Sequence, residues 1–285
     1  MDDVRILGGD RRDILGEGPL WSARENALYW VDILGQRLNR LSLADDRVKS
    51  WDMPEPIGWV IERERAPGFI AGFRSGIAYL SLDPLRITPL ASPEPDRPGN
   101  RFNDAKADAV GRIWAGTMPM DGALPTGALY RLDPDGAISR VDDGYTIANG
   151  PAISPDGHWL YHTDTKLRTV FRYALRDDAS LGPRGTFIRF ENGWGFPDGM
   201  TFDAEGGLWI AHWGTGCVGR FDGLGKRERV IALPASQITS CAFAGSDLDR
   251  LFVTSAALGV DEPAGGALFE VDPGCRGLPT CRFGG

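Results

Sequence analysis

Four short stretches set an oxygen-bearing side chain beside glycine, proline or another small residue. They are Glu17 in LGEGPLW, Asn103 with Asp104 in NRFNDAKAD, Asn149 in IANGPAIS and Asp198 in GFPDGMTFD. Carboxylates and amide oxygens make a hard donor set, suited to Ca2+, Mg2+ or Mn2+ rather than to a thiophilic metal. A cation held in that way polarises a carbonyl, and a carboxylate beside it can orient and deprotonate water. Each stretch also has a plainer reading. Asn-Gly and Asp-Gly are standard turn dipeptides, and a glutamate between two glycines fits a tight corner.

The elements that would position these residues show as an internal repeat. ENALYWVD (25–32), APGFIAGF (66–73), VGRIWAGT (110–117), DGHWLYHT (156–163), EGGLWIAH (205–212) and LDRLFVTS (248–255) each join a polar or glycine turn to a strand of aromatic, β-branched and small residues. An alternating strand closed by Asp, Pro or Gly follows every copy, from QRLNRLSLADD to GGALFEVDPG, which is how a hairpin partner reads. With Leu28, Phe69, Ile113, Leu160, Leu208 and Leu251 as equivalent positions, the steps are 41, 44, 47, 48 and 43 residues. A period of that size with about four strands is a β-propeller blade. The expectation is an all-β, six-bladed β-propeller forming one domain over residues 1–285, with VRIL or the segment after it closing the ring against the last blade. In such a fold the innermost strands line a central channel, and the loops ahead of them sit at one mouth. The four polar stretches follow the repeat, so all four can face one axis.

Composition narrows the partners. Of 285 residues, 42% are apolar and 25% charged, while Gly 38, Pro 20 and Trp 9 are high for a helical protein. A net charge of −8 without a Lys/Arg run disfavours nucleic acid. The opening MDDVRILGGDRRDILGEG lacks a basic and apolar leader, and no run of 18 apolar residues occurs, so a cytoplasmic protein without a membrane segment is expected. Cys217, Cys241, Cys275 and Cys281 never form a CxxC pair and read as free thiols. GTGCVG (214–219) fits GxGxxG but joins two strands and opens no helix, which removes the dinucleotide reading. His158, His162 and His212 have no HExxH spacing; His162 and His212 fall in corresponding strands of adjacent repeats and read as hairpin or channel positions, with packing or a supporting role beside the site open for His212.

LGEGPLW, RFNDAKADAVGRIWAGTM, IANGPAISPDG and PDGMTFDAEGGLWIAHW, in this order and spacing, resemble the SMP-30/gluconolactonase/regucalcin-like family of sugar lactonases, from about residue 14 to GGALFEVDPG. The resemblance implies a six-bladed propeller with one divalent cation on its central channel, hydrolysing lactones of aldonic acids. Carried over by motif, the metal ligands are Glu17, Asn149 and Asp198, and the residues holding sugar hydroxyls are Arg101, Asn103 and, after GTM, Asp121. Ca2+ is the expected ion, with Zn2+, Mn2+, Mg2+ and Fe2+ as alternatives. VDEPAGG (260–266) is shorter than its counterpart in many members.

On this reading the lactone carbonyl sits on the metal and Asp198 is the catalytic residue that activates water, with a metal-bound hydroxide as the competing nucleophile. Among Trp59, Trp194, Phe196 and Trp213, the ring expected to wall the sugar is Trp194, because GWGFPDG is a glycine-flanked loop. Asp164 in HTDT is expected to be a turn residue. Two other functions remain open at this level: hydrolysis of another ester or phosphoester on the same metal set, and a non-catalytic calcium-binding propeller.

Overall fold

The computed structural model describes residues 4–285. Among the described residues, twenty-four strands form six four-stranded antiparallel sheets, as the repeat predicts. Blade 1 is β2 (Gly16–Ser22), β3 (Ala27–Asp32), β4 (Arg37–Ser42) and β5 (Val48–Asp52); blade 2 is β6 (Ile57–Glu62), β7 (Phe69–Phe73), β8 (Ile77–Leu82) and β9 (Leu85–Ala91). Blade 3 is β10 (Asn100–Ala107), β11 (Ile113–Pro119), β12 (Gly127–Leu132) and β13 (Ile138–Tyr145). Blade 4 is β14 (Ala148–Ile153), β15 (Trp159–Asp164), β16 (Thr169–Ala174) and β17 (Gly185–Arg189). Blade 5 is β18 (Phe196–Phe202), β19 (Leu208–Trp213), β20 (Cys217–Phe221) and β21 (Arg227–Ala232).

Blade 6 takes β22 (Ile238–Ala244), β23 (Arg250–Ser255) and β24 (Leu268–Val271) from one end of the chain and β1 (Arg5–Leu7) from the other. Arg5 faces Glu270 and Leu7 faces Leu268 in that pairing, so the ring closes through the segment VRIL. The first strand of every blade contacts the first strand of the next, and β22 returns to β2.

Burial follows from that arrangement. First strands are covered on both faces, as in the wholly buried β2 and β22, whereas the outer β9 is mostly exposed. The apolar side chains collect in six clusters, one in each seam between neighbouring blades. Large rings fill them: Trp59 lies edge-on to Phe102 between blades 2 and 3, and Trp114 and Tyr145 sit between blades 3 and 4. After β24 the chain bridges from Asp203 of blade 5, at Gly277, to Arg63 of blade 2, at Phe283. Phe283 is buried in the seam between blades 2 and 3. Leu278 to Cys281 lie across a cavity of about 720 Å3 whose walls are the C-terminal halves of the first strands. The four cysteines are unbridged. Among the described residues no helix is long and apolar enough to cross a membrane.

Candidate active site

All six first strands break register at the same level. The shifts fall between Glu17 and Leu20, Ile57 and Trp59, Phe102 and Ala105, Asn149 and Ala152, Pro197 and Met200, and Ile238 and Ser240. A bulge leaves residues out of the ladder and re-aims their side chains. Here it singles out the polar stretches of the sequence: Glu17 and Asn149 enter their bulges, while Asn103, Asp104 and Asp198 lie within theirs. Glycine has two uses at these corners. Gly18 and Gly150 take positive φ, and Gly58 sits so close to blade 3 that an added Cβ would lie 2.6 Å from the Phe102 carbonyl oxygen.

The side chains brought together are deeply buried. Glu17 is 3% exposed, Asn149 2%, Asp198 4%, Asp104 2%, Asn103 4% and Arg101 5%. Three carboxylates this close and this dry resist ionisation. Burial first, and then the Asp104 charge, push Glu17 up to about 8. Burial pushes Asp104 up to about 6. Burial, followed by the charges of Glu17 and Asp104, holds Asp198 well above the usual carboxylate range. Two cations oppose this from different sides. Arg101 lines a cleft of about 520 Å3 together with Glu94 and Thr117, and Lys106 lines the larger cavity at the other end of the channel. Burial lowers Arg101 to about 10, against the attraction of Glu17 and Asp198.

A chain of hydrogen bonds orders the polar atoms. Arg101 Nη1 donates to Asn103 Oδ1 at 2.5 Å. Asn103 Nδ2 donates to Asn149 Oδ1 at 2.6 Å and to the Ala148 carbonyl at 2.8 Å. Glu17 Oε2 accepts from the Gly18 amide at 3.0 Å. Two carboxylate oxygens in the cluster, Asp198 Oδ1 and Asp104 Oδ2, are buried without a protein partner. A buried anionic oxygen with no donor is costly, and a cation is the group that would satisfy it. Among the described residues no three His, Cys, Asp or Glu side chains form a metal-holding group. The oxygens gathered here, two carboxylates and the amide of Asn149 among them, are of the mixed kind that a hard divalent ion accepts.

The other expected residues are placed as follows. Asp121 is exposed on the loop after β11, where its Oδ1 accepts from the Ala123 amide, and it lines a groove with Asn100 and Thr126. Trp194 packs its ring on Phe190 and Phe221, under the Arg227 guanidinium 3.9 Å from the ring centre. The Trp194 carbonyl accepts from His212 Nδ1 at 2.7 Å and from Thr215 Oγ1 at 3.1 Å. His162 is fully buried with neither ring nitrogen partnered. Asp164 accepts from the Thr146 and Lys166 amides, which is turn chemistry as expected. Part of the long motif around Arg101 is likewise structural: Asp108 accepts from the Arg112 side chain and from Trp114 Nε1, and Asp203 repeats this in blade 5 with Arg220 and Trp209.

Three groups were not marked by the sequence. Glu94, on the connection between blades 2 and 3, accepts from Asn100, Thr117 and Tyr130 at the mouth of the cleft. Thr165 binds Asn149 Nδ2. Ser240, at the end of the blade 6 bulge, keeps a buried hydroxyl without a partner.

Fold and site together define a six-bladed propeller with an oxygen-lined cluster where its first strands bulge. The chain belongs to the SMP-30/gluconolactonase/LRE-like family, whose model matches residues 15–257. It is 37% identical to pentonolactonase XacC of Haloferax volcanii, over 94% of each chain, and 37% identical to a 6-deoxy-6-sulfogluconolactonase of Pseudomonas putida, over 92% of this chain and 93% of that one. Among solved structures it is similar to the calcium-binding protein regucalcin from Agrobacterium tumefaciens, with a TM-score of 0.92 and 30% identity over 99% of this chain and 98% of the other.

Proposed function

We propose that this protein is a divalent-metal-dependent sugar lactonase, opening an aldonolactone to its aldonic acid. The observation that supports the reading is that Glu17, Asn149 and Asp198 sit buried at the bulges of three first strands, where Asp198 keeps a buried oxygen unpartnered. Those three residues are the proposed cation ligands. When bound, the cation would polarise the lactone carbonyl and offset the charge that builds on its oxygen.

The chain's own groups supply the rest. Asp198 is the proposed base: burial raises its basicity, and a bound cation would oppose that rise. Water adds to the carbonyl carbon, the ring C–O bond breaks, and the proton passes to the departing ring oxygen as the hydroxy acid forms. Arg101 lines the cleft with a guanidinium suited to the hydroxyls of a neutral polyol, and Asn103, which accepts from it, is the second proposed substrate contact. Asp121, in the groove beside Asn100 and Thr126, is a further candidate for substrate contact, as is the half-buried Trp194.

The similarity to proteins named as lactonases supports this class over a phosphoester substrate. The test is a pH-indicator assay on chelated protein with a panel of aldonolactones, divalent ions being added back one at a time. Cation-restored turnover above spontaneous hydrolysis is expected. A chelated protein as active as the reloaded one would end the metal-dependent reading, and no turnover on any lactone despite bound cation would end the lactonase reading.

A further inference from the structure

We infer that Thr165 is a positioning residue of the axial site, setting which end of the Asn149 amide faces the proposed ligands. The inference rests on the reading of Asn149 as a cation ligand through its oxygen. Thr165 stands in the turn after β15, is 7% exposed, and belongs to no motif that marks the site. Its hydroxyl accepts from Asn149 Nδ2 at 2.8 Å and donates to the Pro197 carbonyl at 2.8 Å.

An asparagine amide can be turned over with little change in shape, so a ligating oxygen has to be specified by its neighbours. Here the specification runs in one direction from end to end. Arg101 can only donate, and it donates to Asn103 Oδ1. The Ala148 carbonyl can only accept, and it takes Asn103 Nδ2. That amide nitrogen must then meet an acceptor across the seam, which is Asn149 Oδ1 at 2.6 Å. Asn149 Nδ2 is left for Thr165, whose single proton is committed to the Pro197 carbonyl, an acceptor only. Reversing the Asn149 amide would set NH2 against NH2 at Asn103 and a carbonyl against the lone pairs of a hydroxyl whose proton is already given away.

The same hydroxyl reaches a second proposed ligand. Pro197 immediately precedes Asp198 at the entry to the blade 5 bulge. Thr165 therefore joins the Asn149 side chain of blade 4 to the backbone that presents Asp198 from blade 5. Asn149 Oδ1 spends one lone pair on Asn103 and retains the other for a cation.

Groups that orient metal ligands from behind commonly change metal affinity by about 10- to 100-fold when removed. The experiment is calorimetric titration of chelated protein with Ca2+ alone, on wild type, Thr165→Val, Thr165→Ser and Asn149→Ala, with the far-ultraviolet spectrum and Tm of each recorded. Thr165→Val keeps the shape and removes the hydroxyl, and its Kd for Ca2+ should rise by about 10- to 100-fold. Thr165→Ser restores the hydroxyl without the methyl group and should return Kd to near the wild-type value, which a merely structural role of the threonine would not produce. Should Thr165→Val not fold, Thr165→Ala carries the same comparison. A Thr165→Val protein that binds Ca2+ as wild type does, while Asn149→Ala does not bind it, overturns this inference and leaves the site intact. Wild-type affinity in Asn149→Ala would instead overturn the ligand assignment beneath it.

Discussion

Asn103 Nδ2 lies 2.6 Å from Asn149 Oδ1, so an amide from blade 3 is locked to an amide from blade 4 across the seam between them. The contact sets the polarity of the site. It joins a residue proposed to meet substrate to one proposed to hold the cation, and Arg101 stands behind both through its 2.5 Å bond to Asn103 Oδ1.

Arg101→Ala should lower kcat/KM for an aldonolactone by roughly 10- to 100-fold, the equivalent of the about 1.5–3 kcal/mol that a hydrogen bond to a charged group contributes. The loss should lie mainly in KM, since the guanidinium is assigned to holding hydroxyls rather than to the reacting carbonyl. Steady-state kinetics with cation in excess measures it, and an unchanged kcat/KM would remove Arg101 from the substrate site.

Gly58→Ala should destabilise the protein by about 1–3 kcal/mol. Its Cβ would fall 2.6 Å from the Phe102 carbonyl oxygen and 2.9 Å from that of Asn103, and backbone atoms cannot rotate aside. Because the clash presses on the bulge carrying Asn103 and Asp104, turnover should fall as well. Urea unfolding with the m-value held constant gives the stability change.

Phe283→Ala should cost about 3–5 kcal/mol. The ring is 1% exposed in the seam between blades 2 and 3, and its backbone pairs with Glu62 and Glu64. A Tm equal to wild type would mean that the crossing C-terminal segment adds little to the ring.

Stability should fall in acid through His162. Burial depresses this imidazole to about 3, below its ordinary value of 6.5. Between those values the unfolded chain binds a proton that the folded chain does not, so the contribution of His162 is whole above about pH 6.5 and is lost as pH falls, at up to about 1.4 kcal/mol per pH unit. His162→Leu should flatten the plot of unfolding free energy against pH between pH 6.5 and 4 relative to wild type. Parallel plots for the two proteins would contradict it.

The blades were legible in the sequence because each hairpin repeats a turn, an apolar strand and a small-residue interval at nearly constant period. Closure through VRIL followed from the need to cover an edge. Glu17, Asn149 and Asp198, proposed as cation ligands, were legible as polar residues beside glycine or proline. The bulges themselves were not, since a break in register depends on how neighbouring blades press together and leaves no fixed pattern of residue types. Thr165 gave no signal: its hydroxyl matters through a contact across two blades. At Trp194 the flanking glycines marked the loop, while the packing of its ring on Phe190 and Phe221 left no mark in the sequence.

The carboxylate of blade 5, Asp198, is proposed to act with a bound cation in lactone hydrolysis. Its most direct test is the turnover of Asp198→Asn beside wild type, each chelated and reloaded with saturating Ca2+, with Tm confirming the fold. A loss of about 100- to 10,000-fold in kcat is expected, the range for removing a group that moves a proton in the reaction. Turnover within tenfold of wild type would contradict it.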